Sequence, residues 1–474
     1  MSPLKEQIAL PLEFTGELPV SRLSYRQRLV ALLNENLDFH AEYSLYAAHN
    51  FHSFPAKFPP QLPKKFISNL TRPGDIVLDP MMGSGTAILE AYFSNRKAIG
   101  FDIDPLALMI SKTKVTPINE EKVDQWACSV LSRARDRLKN ELNQLKQARL
   151  KRWDQDSLEF VDYWFSYDNQ LELLALIMEI EQIPEYNIQL FLRLALSAII
   201  ITKSGGVSLA LDLAHTRPHR AKIVYDQNGQ EILRDTSGNP PKHVDIHTKT
   251  LRSPFIEFEK RYKNNLRGVS PSSTQMFNPR LNYGDAQALP LKSSIIDLIV
   301  TSPPYASNAI DYMRAHKFSL VWLGYSLDSL SQKRQEYIGG ETTNGIILEC
   351  LSEKANRIVR QIASLDKKKG LSLHRYYSEM THVLREMYRV LKPGKAAIVV
   401  VGSSIIRGVD TETQDCLASI GREIGFDIPA IGIRHLDRNR RMLPTGTNIN
   451  MSSQIQQRMY EEYVIGFYKP EIQA

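Results

Sequence analysis

Residues 75–102 confine the chain to few folds. D-I-V-L-D-P (75–80) is a short β-branched run ending in an acid, M-M-G-S-G-T (81–86) is a glycine turn, a helical stretch follows to Phe93, and K-A-I-G-F-D (97–102) is a second apolar run ending in an acid. Strand, tight turn, helix and strand make one βαβ unit of a mostly parallel sheet. Glycines at such a turn let the backbone approach a ligand closely and offer free N–H groups. Asp102 follows Asp79 by about twenty residues, the spacing at which a Rossmann-like unit sets a carboxylate on ribose hydroxyls. The loop lacks the third glycine of the dinucleotide fingerprint, and Asp79 would repel a pyrophosphate there. A ligand bearing an amino or sulfonium cation suits the charges better.

A second feature lies two hundred residues on. The run I-I-D-L-I-V-T (295–301) reads as a buried parallel strand, closed by Ser302-Pro303-Pro304-Tyr305. The two prolines forbid the strand from continuing, and Pro304 also restricts Pro303 to extended geometry. The result is a stiff loop at the carboxyl end of a strand, where open α/β sheets place ligands. The Ser302 hydroxyl, the loop carbonyls and the Tyr305 ring form a seat for a flat group bearing an NH2. Taken alone, each motif also fits an ordinary turn; together they point to one cleft.

Between and around these motifs the chain is mixed. Ser24 with Gln27 resembles a capping box opening a helix to about Asn34. H-N-F-H-S-F-P-A-K-F-P-P (49–60) is dense in rings and prolines and precedes a helix over about 61–69. Residues 119–150 read as one long charged helix, 153–167 as an aromatic packing cluster, and 170–180 and 188–201 as apolar helices. Residues 215–270 are rich in Arg, Lys and His, with Q-N-G-Q (227–230) marking a hairpin between 222–225 and 231–233. A helix is expected over 308–322, a polar and mobile cleft cover over 325–370, and an amphipathic helix over 373–391 stopped by K-P-G. Strands over 396–401, 427–433 and 462–468 and a helix over 415–424 complete about seven strands. The N-terminus lacks the apolar stretch of a signal peptide, and no run reaches the ~18–20 apolar residues of a membrane span.

D-P-M-M-G-S-G-T, G-F-D-I-D-P and T-S-P-P-Y together resemble the amino-group DNA methyltransferases, which methylate cytosine N4 or adenine N6 with S-adenosylmethionine. F-H-S-F-P-A-K-F-P-P resembles the segment of that family that touches the methionine end of the cofactor. The resemblance covers about 51–110 and 280–470. It implies the class I methyltransferase fold, a Rossmann-like α/β structure with a seven-stranded sheet whose last strand is antiparallel, carrying a helical and basic insert. The implied division is an N-terminal arm and helix (1–50), a cofactor-binding first part of the core (51–118), an insert and candidate target-recognition region (119–275), and a catalytic second part (276–474). The implied cofactor residues are Ala56, Lys57, Phe58, Asp79, Pro80, Gly83, Gly85, Thr86, Asp102 and Asp285; the implied catalytic residues are Ser302, Pro303, Pro304 and Tyr305. Asp285 would accept from the adenine amino group of the cofactor.

Within that family, Ser at the first position of the catalytic motif goes mostly with cytosine N4. Adenine N6, an RNA base and a catalytically inactive DNA-binding relative are the alternatives, and methylation of protein side-chain amides is disfavoured by the serine. Cytosine C5 chemistry needs a thiolate, normally in Pro-Cys, and Cys128, Cys350 and Cys416 follow Ala, Glu and Asp. The three scattered cysteines give no zinc spacing, so no metal is expected. A formal net charge of +7 is compatible with a polyanion partner. Double-stranded DNA is therefore the expected partner, with Arg438, Arg440 and Arg441 as first candidates for phosphate contacts and Arg217 and Arg220 in the basic insert as further ones. A cognate restriction endonuclease and the cytoplasm of a prokaryotic or phage-infected cell complete the expectation. The large insert departs from the family's common order by standing before Asp285 rather than after it.

Overall fold

The structure is a computed structural model that describes residues 23–55, 57–202, 206–211, 213, 218–235, 247–269, 276–306, 311–340, 348–436 and 461–471. Seven strands form one sheet: β1 (Ile76–Asp79), β2 (Lys97–Asp102), β3 (Arg280–Tyr283), β4 (Ile296–Thr301), β5 (Leu391–Gly402), β6 (Ile431–His435) and β7 (Glu461–Tyr468). Their spatial order is β3-β2-β1-β4-β5-β7-β6. The pairs β3–β2, β2–β1, β1–β4 and β4–β5 are parallel, while β7 is antiparallel to both neighbours. This is the class I methyltransferase arrangement, with the one reversed strand the resemblance implied.

Fifteen α-helices surround the sheet among the described residues. The first four are α1 (Tyr25–Leu33), α2 (Gln61–Leu70), α3 (Thr86–Phe93) and α4 (Pro105–Val115). The capping box at the start of α1 is present, with Gln27 N–H on Ser24 Oγ at 3.3 Å and Ser24 N–H on Gln27 Oε1 at 2.9 Å. Next come α5 (Glu120–Asn140), α6 (Leu142–Arg152), α7 (Gln155–Trp164), α8 (Tyr167–Glu181), α9 (Tyr186–Ile200) and α10 (Pro254–Leu266). The last five are α11 (Tyr312–Leu320), α12 (Leu327–Gln335), α13 (Glu353–Leu365), α14 (Lys367–Val390) and α15 (Thr413–Ile424). The expected hairpin exists over 223–225 and 231–234, and 248–250 adds a third, parallel strand. No helix among the described residues is long and apolar enough to cross a membrane.

Strand side chains alternate between two cores, as a sheet covered on both faces requires. Val77, Leu298, Val300, Ile398 and Val400 face one core; Leu78, Ile99, Ile299, Val399 and Val401 face the other. The first core also takes in Val123 and Val130 of α5, Leu173 and Leu176 of α8, Phe191 and Leu194 of α9 and Phe258 of α10. The second is covered by α13, α14 and α15.

Several expectations are corrected. The helix over 119–150 is two helices, broken where Glu141 leaves helical geometry (φ −124°, ψ 31°), which turns Leu145 back into the core. Within 325–370 the described residues form α12 and α13 rather than one irregular polar stretch, and α13 packs its apolar stripe on α14. Lys392-Pro393-Gly394 does not precede β5 but lies within it, at a register shift opposite β4 where proline is tolerated. The strand expected over 427–433 is β6, shifted to Ile431–His435, with Asp427 making only an isolated bridge to Tyr468. The helix expected over 308–322 is α11, Tyr312–Leu320.

Candidate active site

The sheet order brings the sequence motifs to one edge. Across β3-β2-β1-β4, Asp285 follows the first strand, Asp102 ends the second, Asp79 ends the third and Ser302 follows the fourth. Neighbouring strands lie ~4.8 Å apart, so these four ends span roughly 15 Å. Thr301, the last residue of β4, donates its hydroxyl to Asp79 Oδ1 at 2.7 Å. That bond ties the proline corner to the acid of the glycine loop.

The loop between β1 and α3 is shaped for close approach. Gly83 and Gly85 have φ of +47° and +73°. A Cβ on Gly85 would meet Ser111 Oγ at 2.6 Å, and one on Gly83 would meet the Phe54 ring at 3.1 Å. The loop is fastened from behind by α4: Ser111 Oγ donates to the Gly83 carbonyl at 2.9 Å and Lys114 Nζ to the Ser84 carbonyl at 2.6 Å. Gly83 N–H donates to Asp102 Oδ2 at 2.8 Å, so the loop and the acid that ends β2 are tied together. Pro80 and Thr86 are buried at its two ends.

Burial pushes the Asp79 carboxyl up to about 7, although the Thr301 hydroxyl and the Met81 N–H favour its ionised form. Burial and the neighbouring Asp104 charge push Asp102 up to about 7 as well. Asp104 goes the other way. Burial would raise it, but the His316 imidazole, 2.5 Å away, and the Leu106 N–H together hold it below the ordinary carboxylate range. Asp285 is exposed at the edge and accepts from Gln287 N–H at 2.9 Å. Two desolvated carboxyls beside a glycine cradle fit a ligand that is cationic at one end and carries hydroxyls at the other, which is the donor set S-adenosylmethionine requires. Asp79 and the glycine loop could hold its amino-acid end, Asp102 its ribose and Asp285 its base.

In the proline corner Pro303 is buried, and Ser302, Pro304 and Tyr305 are half-buried. Tyr305 Oη donates to Glu462 Oε1 on β7 at 3.0 Å, and Glu462 is paired in turn with Arg434 on β6. Burial and the Glu462 charge hold the Tyr305 hydroxyl well above its usual range, so it stays protonated and remains a donor to Glu462.

The aromatic segment meets the glycine loop through Phe54. Phe58 lies in the core, Lys57 Nζ donates to the His49 carbonyl at 2.8 Å, and Ala56 lies outside the described residues. Phe54 is the ring against Gly83; it stacks on Tyr312 of α11 at 5.3 Å. Phe54, Tyr312 and the Asp104–His316 pair went unassigned in the sequence. D-P at 104–105 is a readable helix start, with Asp104 capping α4, but its partner lies some two hundred residues away. Arg220 sits over the Tyr163 ring at 4.6 Å, while Arg217, Arg438, Arg440 and Arg441 lie outside the described residues. Among the described residues there is no cluster suited to a metal ion.

A DNA methylase family model, N6_N4_Mtase, matches residues 34–113, which contain the aromatic segment, the glycine loop and Asp102. The chain is 25% identical over 404 residues to the Type II methyltransferase M.MvaI of Kocuria varians, covering 82% of this chain and 84% of that one. It is 20% identical over 459 residues to the Type II methyltransferase M.BsoBI of Geobacillus stearothermophilus, covering 86% and 85%. A shorter stretch of 60 residues is 43% identical to the Type II methyltransferase M.BglI of Bacillus subtilis, covering 13% and 17%. With the glycine loop, the strand-end acids and the proline corner gathered on one sheet edge, these matches support placing the chain with the S-adenosylmethionine-dependent amino-group DNA methyltransferases, without separating cytosine-N4 from adenine-N6 enzymes.

Proposed function

We propose that the protein methylates the exocyclic N4 amino group of a cytosine turned out of duplex DNA. The observation that carries this reading is the Thr301–Asp79 bond, which sets the serine of the proline corner on the strand next to the donor acids. An aromatic amine is a poor nucleophile because its lone pair is delocalised into the ring. Ser302 Oγ and the Pro303 carbonyl accept its two N–H bonds and favour a pyramidal nitrogen with an available lone pair, a preorganised response to the positive charge that develops there. The donor supplies a methyl group already activated on a sulfonium. Holding nitrogen and methyl about 3–3.5 Å apart in line then provides much of the rate. Ser302 is too weakly acidic to be the base, so the amino proton leaves to water after transfer.

Turning the base out costs a few kcal/mol. The Tyr305 ring, its hydroxyl anchored on Glu462, stacks on the extruded base and offsets part of that cost. Asp79 and the glycines 83 and 85 take the amino-acid end of the donor, Asp102 its ribose hydroxyls and Asp285 its adenine amino group.

Nucleoside mass spectrometry of DNA from cells expressing the protein tests the proposal. N4-methylcytosine is expected, at a level that falls about a hundredfold with Ser302→Ala while donor affinity stays within about twofold. N6-methyladenine in its place would overturn the base assignment, and no methylated base from protein that binds donor would overturn the activity.

A further inference from the structure

On the outer face of the helix that follows the proline corner, charge is left uncompensated. α11 buries Met313, His316 and Phe318 and leaves Arg314 and Lys317, one turn apart, partly exposed. Arg334 of α12 joins them. Both arginines pair with Asp311, at 2.9 Å and 2.5 Å, and among the described residues Lys317 and Arg220 make no ion pair. Two arginines thus share one carboxylate, and Lys317 beside them is paired with none among the described residues. Burial and the nearby Arg334 and Arg314 charges hold Lys317 below the ordinary lysine range, with only Asp311 opposing.

The cluster continues onto the insert. Lys317 Nζ lies 5.1 Å over the Phe160 ring of α7. One turn along the same helix, Tyr163 is 52% exposed and carries Arg220 at 4.6 Å. α7 is fixed against α11 by Phe160 and Trp164, whose rings meet Phe318 at 5.0 and 4.9 Å. Cations and half-exposed rings therefore alternate along one band that begins beside the catalytic corner, at the helix whose first residue stacks on Phe54.

We infer that the band Arg334–Arg314–Lys317–Phe160–Tyr163–Arg220 is the surface on which the DNA backbone flanking the extruded base is seated. A row of cations spaced by rings suits a polyanion with stacked bases: the cations meet phosphates and fix the register, whereas rings tolerate any sequence. Phe160, Tyr163 and Arg220, rather than the 119–275 insert as a whole, are then the part of the insert that touches DNA. The inference rests on the proposed reading of the site, since it needs a DNA substrate.

The test uses the full chain and a fluorescent non-specific duplex, with affinity measured by anisotropy from about 50 to 200 mM salt. The log–log salt slope of Lys317→Gln/Arg334→Gln should be shallower than wild type by about 0.9 for each cation lost, with at least about tenfold weaker binding at the low-salt end. Arg220→Gln should lose about one further unit of slope. Donor affinity and melting temperature should stay at wild-type values, and the charge-conserving Lys317→Arg/Arg334→Lys should bind as wild type. Variants that bind DNA with the wild-type slope overturn the band alone. A wild-type protein that binds donor but no duplex overturns both the band and the DNA reading beneath it.

Discussion

Asp79 and Asp102 titrate near 7 in the folded protein, and a carboxyl in an unfolded chain titrates near ~3.9. Between about pH 4 and 7 the folded state therefore holds protons that the unfolded chain has already lost. Their contribution to stability is greatest below about pH 4, falls as pH rises through 7, and is flat above. A cationic donor acts in the opposite sense, because it favours the ionised carboxyls. Donor affinity should rise from pH 6 to pH 8, by at most about tenfold per pH unit for each carboxyl below 7, and binding below 7 should release protons. Calorimetry in buffers of different ionisation enthalpy reads both, and Asp102→Asn should flatten the rise. A wild-type profile that is level across this range would remove these acids from the donor site. Both residues were legible because each ends an apolar run beside a turn, a local pattern. Phe54 was not singled out, because nothing local says which of several rings in 51–58 will lie against Gly83.

At the scale of elements, the helices were readable where their ends carry chemistry. Ser24 with Gln27 marks α1, whereas the Asp104-Pro105 start of α4 was not read although it carries the same kind of signal. The β1–loop–α3–β2 unit follows from apolar periodicity and glycine placement alone. The reversal of β7 follows from its pairing with β5 and β6, and an apolar run carries no sign of direction. β5 ran past the K-P-G stop because the register shift there absorbs the proline. The join between α4 and α11 is likewise invisible locally. Asp104 caps α4 through the Leu106 and Ala107 N–H groups and pairs with His316 of α11, both side chains almost fully buried. Removing one partner of a buried pair leaves the other uncompensated, so Asp104→Ala should cost about 3–5 kcal/mol by urea unfolding. Asp104→Asn keeps the cap and should recover about 1 kcal/mol of that. Equal losses for the two substitutions would mean that the charge, and not the cap, accounts for the whole effect.

Across the whole molecule, the helices between residues 119 and 275 face a question of independence that their sequence leaves open. Composition and the gap in the family resemblance set them apart as an insert, yet their side chains belong to the core of the sheet. Phe191 of α9 meets Phe51 at 5.8 Å, and Ser197 bonds both His52 Nε2 at 2.8 Å and Ser319 Oγ at 2.6 Å. Trp153 and Phe165 meet Trp322 at 4.9 and 5.3 Å, and Phe160 and Trp164 cover Phe318. Long-range contacts of this kind are what a reading by local pattern misses. Without the insert, Phe51, Phe318 and Trp322 would lose these neighbours, at about 1.5–3 kcal/mol for each large apolar side chain returned to water. The sum is roughly 5–9 kcal/mol, against a total stability of about 5–15 kcal/mol for a typical domain, before the stranded His52 is counted. A chain joining residue 118 directly to 276 should therefore be unfolded or aggregated. In the intact protein, limited proteolysis should spare the 115–120 junction, because α4 and α5 are both anchored in the shared core. A soluble deletion variant with a cooperative melt and wild-type donor affinity would show that the sheet closes without these helices and that the shared core is dispensable.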